Sequence, residues 1–404
     1  WTPTNVYPYR TLVKSYKHLS AHPLHWKLLY HISNTRPYEI LTDVHSTFTC
    51  YEKITKQLEK YDPDVVISVH PTMNNVPEKV IRQIAEKRGK YVPFFTVVTD
   101  FGSGHCTWFQ KGVDKMYIAN ERIRKLAKKR GSVADEKLVM SGLPIRQDFA
   151  VQAKEMGDRT TTEGKEYRKV MKDKLQLDTE KKVVLVMGGG EGVGSLSTIT
   201  EKLYVQLRAK GVDASICVVC GRNEELREEL DKKDWNTVFS NAKNEQGKKT
   251  KKLKTLFARK LLKREVSYKD GQSQTTGKID VVSLGFVTNM AEYMVASDVL
   301  VSKAGPGTIA EAAALGLPVM ITSFLPGQEA GNVDIVLDGE FGASHKKPKA
   351  MAAVVTSWLQ DEAKLDEMSL RSAAVGNPNA ASNIVEDIGK ITLDVLDKNS
   401  SRNR

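Results

Sequence analysis

The sequence predicts an α/β protein of two domains, each built around a parallel β-sheet. Its 404 residues are more than one hydrophobic core usually organises, so two domains are expected. In both halves of the chain, short apolar stretches with strand character alternate with amphipathic stretches of helical period, which is the pattern of βαβ units. A polar, charged segment separates the halves and marks the domain boundary.

The first domain is assigned to residues 1–150. Its predicted strands lie in DPDVVISVHP, YVPFFTVVTDFG, VDKMYIAN and KLVMSGLP, and amphipathic helices are predicted in CYEKITKQLEKY, PEKVIRQIAEKRGK and ERIRKLAKKRG. Residues 151–180 follow with the charged sequence AKEMGDRTTTEGKEYRKVMKDKLQL. We predict that this segment links the two domains.

The second domain is assigned to residues 181–375. Its predicted strands lie in KKVVLVMGGG, ASICVVCGRN, IDVVSLGFV, ASDVLVSKAG and LPVMITSF. Residues 376–404 are predicted to form a final helix, ASNIVEDIGKITLDVL, and a disordered tail, DKNSSRNR.

A lysine-rich segment, residues 238–278, interrupts the second domain. A compact α/β domain rarely needs so long a connection, so the segment is predicted to be an insertion. One prediction is a basic amphipathic helix in a membrane interface, and the alternative is a disordered, solvated loop. The apolar residues at helical spacing are Leu253, Leu256, Phe257 and Leu261.

The composition excludes several classes of protein. No apolar run approaches the roughly 20 residues that span a bilayer, so a membrane role would be peripheral. The four cysteines do not suggest a disulfide framework, and Cys217 and Cys220 lie in a predicted strand, where we expect core residues. The net charge of +12 favours an anionic partner. Nucleic acid is a remote alternative, because the lysines cluster in the insertion with few aromatic residues for stacking.

A turn rich in small residues, AGPGT, follows one predicted strand and precedes the predicted helix IAEAAALG. Glycines let phosphate oxygens approach the backbone, and a helix N-terminus offers free N–H groups and a positive dipole end. Glu311 lies one turn into the helix, where a carboxylate can accept both hydroxyls of a ribose. An ordinary strand-to-helix turn is the alternative, but it would not require so many small residues. The candidate residues are Ala304, Gly305, Pro306, Gly307 and Thr308.

Two further segments are predicted at the same edge of the sheet. MGGGEGVG repeats the phosphate-binding pattern at the start of the second domain, although its spacing alone is a weak match and no Walker lysine follows. FLPGQEAGNV follows the next strand, and its polar side chains suit sugar hydroxyls unless the loop is merely solvated. The candidate residues are Gly189, Gly190, Glu191, Gly192, Gln328, Glu329 and Asn332.

Two histidines follow predicted strands of the first domain, at the edge that faces the second domain. His70 ends VISVH and His105 follows TVVTDFGSG. A histidine there can act as a general base or hold an acceptor hydroxyl, and a structural role is the alternative for each. No D-x-D pair or other ligand spacing occurs in the cleft motifs, so we predict no essential divalent metal.

These motifs together resemble those of plant and algal monogalactosyldiacylglycerol synthases. In the second domain they are MGGGEG, CGRN, GFVTNMAEYM, DVLVSKAGPGTIAEA and PGQEAGNV, and in the first ISVHP, TVVTD, TWF and SGLPIR. The resemblance runs from Trp1 to about Asp387 without the insertion, which is not a feature expected of the family. These inverting glycosyltransferases include the peptidoglycan enzyme MurG. The resemblance implies a GT-B fold, in which two Rossmann-like domains face each other across a cleft.

The resemblance also implies roles for individual residues. The second domain would hold UDP-galactose, with Phe286 and Val287 beside the uracil and Glu311 on the ribose. Gln328 and Glu329 would bind the galactose, and the two glycine-rich turns would hold the diphosphate. The remaining residues are Arg146, which would assist at the phosphates, Arg222 of the donor side, and His70 and Trp108 of the acceptor and lipid side.

One departure from the family concerns the catalytic base. The family carries a glycine-rich loop that ends in a histidine, thought to be the base, before the point that corresponds to Trp1. We therefore expect a trimmed chain whose first domain lacks its first βαβ segment. His105 is the remaining candidate base. On this expectation UDP binding survives and turnover falls by roughly 10²–10⁴-fold.

The function implied is transfer of galactose from UDP-galactose to 1,2-diacylglycerol with inversion, without a cofactor. The partners implied are diacylglycerol and a membrane surface with anionic lipids, not nucleic acid, and the location is peripheral, on the plastid envelope. A diacylglycerol glucosyltransferase and a MurG-like N-acetylglucosaminyltransferase are the alternatives, because sugar stereochemistry cannot be inferred from these residues. The number of subunits stays open.

Overall fold

The computed structural model describes residues 6–7, 9–11, 14–15, 18–19, 22–188, 196–245 and 276–402. These residues form ten strands in two sheets, and all neighbouring strands are parallel. The strands are β1 (Val66–Ser68), β2 (Phe94–Val97), β3 (Lys115–Ile118), β4 (Leu138–Met140), β5 (Lys182–Met187), β6 (Ala214–Val219), β7 (Ile279–Leu284), β8 (Val299–Ser302), β9 (Val319–Ile321) and β10 (Gly342–Ser344).

Helices cover the faces of both sheets, as parallel sheets require. They are α1 (Pro23–Ser33), α2 (Arg36–Tyr61), α3 (Asn75–Arg88), α4 (Glu121–Gly131), α5 (Gln147–Met156), α6 (Thr162–Lys174), α7 (Leu196–Ala209), α8 (Glu224–Lys232), α9 (235–245), α10 (Met290–Ala296), α11 (Pro306–Ala314), α12 (Ala330–Asp338), α13 (Pro348–Leu359), α14 (Glu362–Val375) and α15 (Ala380–Arg402). None of the helices in the described ranges combines the length and hydrophobicity of a membrane span.

The two sheets confirm the prediction of two parallel-sheet α/β domains. The first sheet has the order β1-β2-β3-β4, and the second has the order β10-β9-β8-β5-β6-β7. The second order is that of dinucleotide-binding domains, with a topological switch point between β5 and β8. The crevice at such a point, outside the carboxyl ends of the strands, is where ligands bind in open α/β sheets.

The segment predicted as a linker, residues 151–180, is instead part of the second domain. It contains the end of α5 and all of α6, and Met156 and Met171 lie in the core of the second domain. Arg168 of α6 donates to Asp298 at 2.6 Å, just before β8. The linker prediction is wrong because a few apolar residues at helical spacing suffice to bury one face of a charged helix.

The tail predicted to be disordered is helical through Arg402, because α15 returns to the first domain. Asp387 accepts hydrogen bonds from Lys115 Nζ (2.9 Å) and Tyr117 Oη (2.7 Å) of β3. Near the end of the helix, the Asn399 side chain pairs with both backbone polar groups of Tyr91, at 3.0 and 2.8 Å. These contacts order a sequence that has little intrinsic preference for a helix.

Two glycines bring the domains into backbone contact. A Cβ atom on Gly102, in the loop after β2, would lie 2.0 Å from the carbonyl carbon of Gly331 in α12, and a Cβ on Gly331 would lie 2.0 Å from Gly102 O. Asn332 reinforces this contact, since its Oδ1 accepts from Gly102 N at 2.7 Å. The loop after β2 is therefore fixed against the second domain.

Two groups of predicted residues lie outside the described ranges. The first is the glycine-rich loop, with Gly189, Gly190, Glu191 and Gly192, and the second is the centre of the basic insertion, with Leu253, Leu256, Phe257 and Leu261. Residues 238–245 of the insertion belong to α9.

We predict that the substitution Gly331→Ala opens the contact between the domains. Its methyl group meets backbone, which cannot move aside as a side chain can, and overpacking of this kind costs about 1–3 kcal/mol. Thermal unfolding and the radius of gyration from X-ray scattering are the measurements. Gly389→Ala is the matched control, since nothing lies within 4 Å of that position in α15. Unchanged melting and dimensions of the Gly331→Ala protein would contradict the prediction.

Candidate functional site

Described polar segments follow four strands at the carboxyl edge of the second sheet. In spatial order they are the loop after β9 with Gln328 and Glu329, the turn after β8 with residues 304–308 and, beyond β5, the turn after β6 with Arg222 and the turn after β7 with Phe286. Parallel strands bring these segments to one edge even though they are far apart in sequence. The edge therefore carries an extended row of polar groups.

The turn after β8 begins α11 and leaves its first turn open. Gly305 is the N-cap of α11 and Pro306 its first residue, so the free N–H groups of the helix follow directly. A Cβ atom on Gly307 would meet nothing within 4 Å. Ala304 is buried beneath the turn, and Thr308 is partly exposed. This open helix terminus has the geometry of an anion-binding turn.

Glu311 of α11 is held by Arg146, which lies between the sheets. The guanidinium donates from Nε to Glu311 Oε1 at 2.8 Å and from Nη2 to Oε2 at 3.0 Å, and it stacks over Phe149 at 4.7 Å. Glu311 is buried, whereas about half of the Arg146 side chain is exposed. The structure thus brings together two residues that the sequence analysis assigned to ribose and phosphate.

The loop after β9 carries two polar residues with different surroundings. Glu329 is buried, and its carboxylate accepts from Lys303 Nζ (3.1 Å) and from Leu325 N (2.8 Å). Gln328 Oε1 is also buried, but it accepts no hydrogen bond from any described residue. A buried acceptor without a donor is costly, and a ligand hydroxyl would satisfy it.

Asn332 was predicted to bind the donor, and the structure gives it a different role. Its Oδ1 accepts from Gly102 N of the first domain and its Nδ2 donates to Ala304 O at 2.9 Å. The side chain is 1% exposed. With both amide atoms used within the protein, Asn332 bridges the domains and presents nothing to a sugar, so that part of the prediction is corrected.

Arg222 and Phe286 lie next to each other at the ends of β6 and β7. The guanidinium of Arg222 is 5.7 Å from the centre of the Phe286 ring. Phe286 is 67% exposed, while Val287 packs partly against the core of the second domain. An exposed aromatic ring at the end of the row offers a face on which a planar base can stack.

The edge of the first sheet presents Asp100 and, behind it, Trp108. The Trp108 indole N–H donates to Asp100 Oδ2 at 2.7 Å. Trp108 is 1% exposed and lies in the core of the first domain. It therefore has no surface for lipid, and its predicted place on the lipid side is corrected. Burial raises the pKa of Asp100 to about 6, although the bond from Trp108 lowers it.

His105 holds α1 against the loop after β2. Its Nδ1 accepts from Thr107 N at 3.4 Å, and its Nε2 lies 3.1 Å from Ser33 Oγ. Burial, together with the nearby guanidinium of Arg130, lowers the pKa of His105 to about 4. With both ring nitrogens engaged and little basicity, His105 does not fit the predicted role of general base. Its contacts make it a positioning residue.

His70 lies at the end of β1 on the same edge and is exposed. Thr72 N donates to its Nδ1 at 3.4 Å, which leaves Nε2 without a hydrogen bond to any described residue. Burial of part of the ring lowers the pKa of His70. Of the two predicted histidines, His70 is the one that can contact a ligand.

Residues missed by the sequence analysis include Lys303, Asp100 and Tyr30. Lys303 directly precedes the small-residue turn, and Asp100 ends the motif TVVTD, so both were within recognised motifs. Tyr30 carries no such signal, yet a Cβ on Gly327 would lie 2.5 Å from its ring. Among the described residues, no three His, Cys, Asp or Glu side chains are grouped so as to hold a metal ion.

The fold is that of a known class of enzymes. MurG of Acinetobacter baumannii matches this chain with a TM-score of 0.52 at 13% identity, over 84% of this chain and 77% of that one. Two parallel-sheet domains that meet at their carboxyl edges, the second with dinucleotide-binding strand order, define a GT-B glycosyltransferase fold. The GT-B prediction is confirmed.

Sequence comparisons identify the family. Residues 1–145 match the family model for monogalactosyldiacylglycerol (MGDG) synthase, and residues 183–332 match that for the glycosyltransferase family 28 C-terminal domain. The chloroplastic monogalactosyldiacylglycerol synthase 1 of Arabidopsis thaliana is 31% identical over 99% of this chain. The probable chloroplastic monogalactosyldiacylglycerol synthase 2 of Oryza sativa subsp. indica is 31% identical over 95% of it.

The chain belongs to the monogalactosyldiacylglycerol synthase family, as the sequence motifs predicted. It spans 64% of the length of the Arabidopsis relative and 71% of the rice relative.

We predict opposite effects of pH on stability for two variants of the loop after β2. The variant Asp100→Asn retains His105. This histidine is neutral in the folded chain, but it takes up a proton below about pH 6.5 when the chain is unfolded. The stability of this variant should therefore rise by roughly 2–3 kcal/mol between about pH 4 and 6.5. The variant His105→Gln retains Asp100. The Asp100 carboxyl group keeps its proton up to about pH 6 in the folded chain but not in the unfolded chain, so the stability of this variant should fall as pH rises.

The measurement is denaturant unfolding at about pH 4.5 and 6.5. The wild-type chain is the control, because its two opposing linkages largely cancel over this range. If the stability of the two variants changes with pH in the same direction, the burial assigned to Asp100 and His105 is contradicted.

Proposed function

We propose that this chain transfers galactose from UDP-galactose to the free hydroxyl of 1,2-diacylglycerol and inverts the anomeric carbon. The order of the polar segments along the second sheet carries the proposal. A sugar-binding loop, an anion-binding turn and an exposed aromatic ring follow one another along the edge, in the order hexose, diphosphate, base. Membership of the monogalactosyldiacylglycerol synthase family supports galactose and diacylglycerol as the substrates.

The donor would lie along the switch point of the second sheet. Its uracil would stack on Phe286, its ribose would contact Glu311, and its diphosphate would lie at the start of α11. Gln328 Oε1, buried and without a donor, would accept from a hexose hydroxyl. Each of these contacts pairs a ligand group with a protein group of complementary chemistry.

The acceptor would enter from the edge of the first sheet. Its hydroxyl oxygen would attack the anomeric carbon as the bond from that carbon to the UDP oxygen breaks, and the hydroxyl proton would leave to a base. Negative charge then develops on the departing diphosphate, where the N–H groups and dipole of α11 stabilise it. His70 is the histidine of this edge whose Nε2 is available for the acceptor. A divalent metal is not needed in this scheme, and EDTA treatment tests that point.

A lipid surface is proposed for the first domain, which presents apolar side chains on two consecutive helices. On α1 the row consists of Leu24, Leu28 and Ile32, with exposures of 81%, 62% and 49%. On α2 Ile40, Val44 and Phe48 repeat the same spacing. Because α1 also touches Gly327 through Tyr30, this surface lies beside the sugar-binding loop. We propose peripheral association with the plastid envelope, including its anionic lipids.

We predict that the chain prefers UDP-galactose over UDP-glucose and UDP-N-acetylglucosamine in transfer to diacylglycerol. The measurement is the rate of glycolipid formation with each donor, in mixed micelles, with and without EDTA. Phe286→Ala should weaken the binding of every donor about tenfold, because the stacking face is lost. Preference for another hexose would overturn the galactose assignment, and binding that Phe286→Ala leaves unchanged would overturn the placement of the base.

We predict that the double substitution Leu24→Ser with Leu28→Ser reduces vesicle binding at least tenfold, since two exposed leucines would no longer enter the bilayer. Co-sedimentation with neutral and with anionic vesicles is the measurement. Leu370→Ser, on a leucine of α14 in the second domain that is 51% exposed, is the control. Equal sedimentation of the two variants would remove the proposed surface, and stronger binding to anionic vesicles would support the role of charge.

A further inference from the structure

Lys303 lies between the end of β8 and the turn that begins α11. Its Nζ donates to Glu329 Oε1 at 3.1 Å. Its Cε would lie 3.8 Å from a Cβ atom on Gly305, so the side chain extends over the turn itself. A cation is thereby placed at the point where the helix N-terminus is open to an anion.

The ion pair between Lys303 and Glu329 is asymmetric. Glu329 is 4% exposed, and its second carboxylate oxygen accepts from Leu325 N. The Lys303 side chain is 40% exposed, and among the described residues it has one carboxylate partner. If the ammonium moves, the backbone bond keeps Glu329 in its orientation and only Oε1 loses a donor. Lysine is suited to such a movement because its charge is carried on a flexible stem.

Arg146 is less free to leave its carboxylate. Two of its nitrogens bind Glu311 and its plane stacks on Phe149. Such bidentate pairs are held more tightly than a single lysine contact. Of these two cations of the donor site, Lys303 is therefore the one that can exchange partners.

We propose that Lys303 binds the diphosphate of the donor and, in doing so, frees Glu329 Oε1 to accept a hydroxyl of the hexose. This inference rests on the proposed function, and it assigns Lys303 to the donor site as the cation that neutralises the departing diphosphate. The exchange replaces one carboxylate partner of the lysine with a phosphate. A nucleotide without a hexose leaves the freed oxygen of Glu329 unpaired, which costs binding energy.

Two consequences follow for ligand preference. The wild-type chain binds UDP-galactose more tightly than UDP, because the hexose hydroxyl takes the place of the ammonium at Glu329. In Glu329→Gln, binding of UDP leaves no buried charge without a partner. The ratio of the affinity for UDP-galactose to that for UDP therefore falls severalfold.

Calorimetric and competition binding of uridine, UDP and UDP-galactose tests the inference. Removing the ammonium by Lys303→Met should weaken UDP about 10–100-fold and leave uridine unchanged, since uridine has no phosphate. Lys303→Arg keeps the charge and should retain most of the UDP affinity. Because Lys303→Met alone leaves the buried Glu329 without its cationic partner, the double variant Lys303→Met with Glu329→Gln provides a folded comparison.

Loss of UDP affinity in the double variant, with uridine unaffected, supports the inference. Wild-type affinity of the double variant for UDP overturns it, and equal UDP-galactose preference in the wild type and Glu329→Gln overturns the role of Glu329. Failure of the proposed function is distinguishable from failure of this inference. If the wild-type chain prefers another UDP-hexose, the galactose assignment is wrong. The affinities of the wild type and the double variant for UDP still decide whether Lys303 binds the diphosphate.

Discussion

The backbone contact between Gly102 and Gly331 is the constraint on which the site depends. No side chain fits at either position, because a Cβ atom would lie 2.0 Å from the opposite backbone. This contact brings the loop after β2, with Asp100 and His105, against α12, the helix that follows the loop after β9. Asn332 fixes the same junction through Gly102 and Ala304, so one buried amide joins the loop after β2 to the turn after β8. Neither sheet alone would assemble these groups.

The electrostatics at the carboxyl edge of the second sheet are organised around two buried carboxylates. Glu311 is paired with Arg146 and Glu329 with Lys303, and in each pair the cation is the more exposed partner. Buried ion pairs add little net stability, since desolvation offsets much of their attraction. Their value here is that they place cations where an anionic ligand would enter, while keeping carboxylates oriented beneath them. Lys303 comes directly before the turn that begins α11, and Glu311 lies within the same helix.

Sequence patterns predicted the sheets well where residues are apolar and β-branched. The runs that became β5, β6 and β8 were recognised for this reason, whereas β10, with the sequence Gly-Ala-Ser, carries no such signal. The helical end of α15 and the packing of α6 depend on tertiary contacts, which no local pattern reports. Within the site, motifs located Glu311 and Gln328. They could not show that both amide atoms of Asn332 bond across the domain junction, or that burial lowers the pKa of His105.

We propose that a UDP-hexose lies along the carboxyl edge of the second sheet, with its hexose toward the first domain. A crystal structure of the chain with UDP-galactose bound tests this most directly. We expect the diphosphate within hydrogen-bond distance of the N–H groups at residues 305–308, the uracil on Phe286 and a hexose hydroxyl on Gln328 Oε1. A nucleotide bound at the edge of the first sheet, or a hexose directed away from Gln328 toward β7, would contradict it.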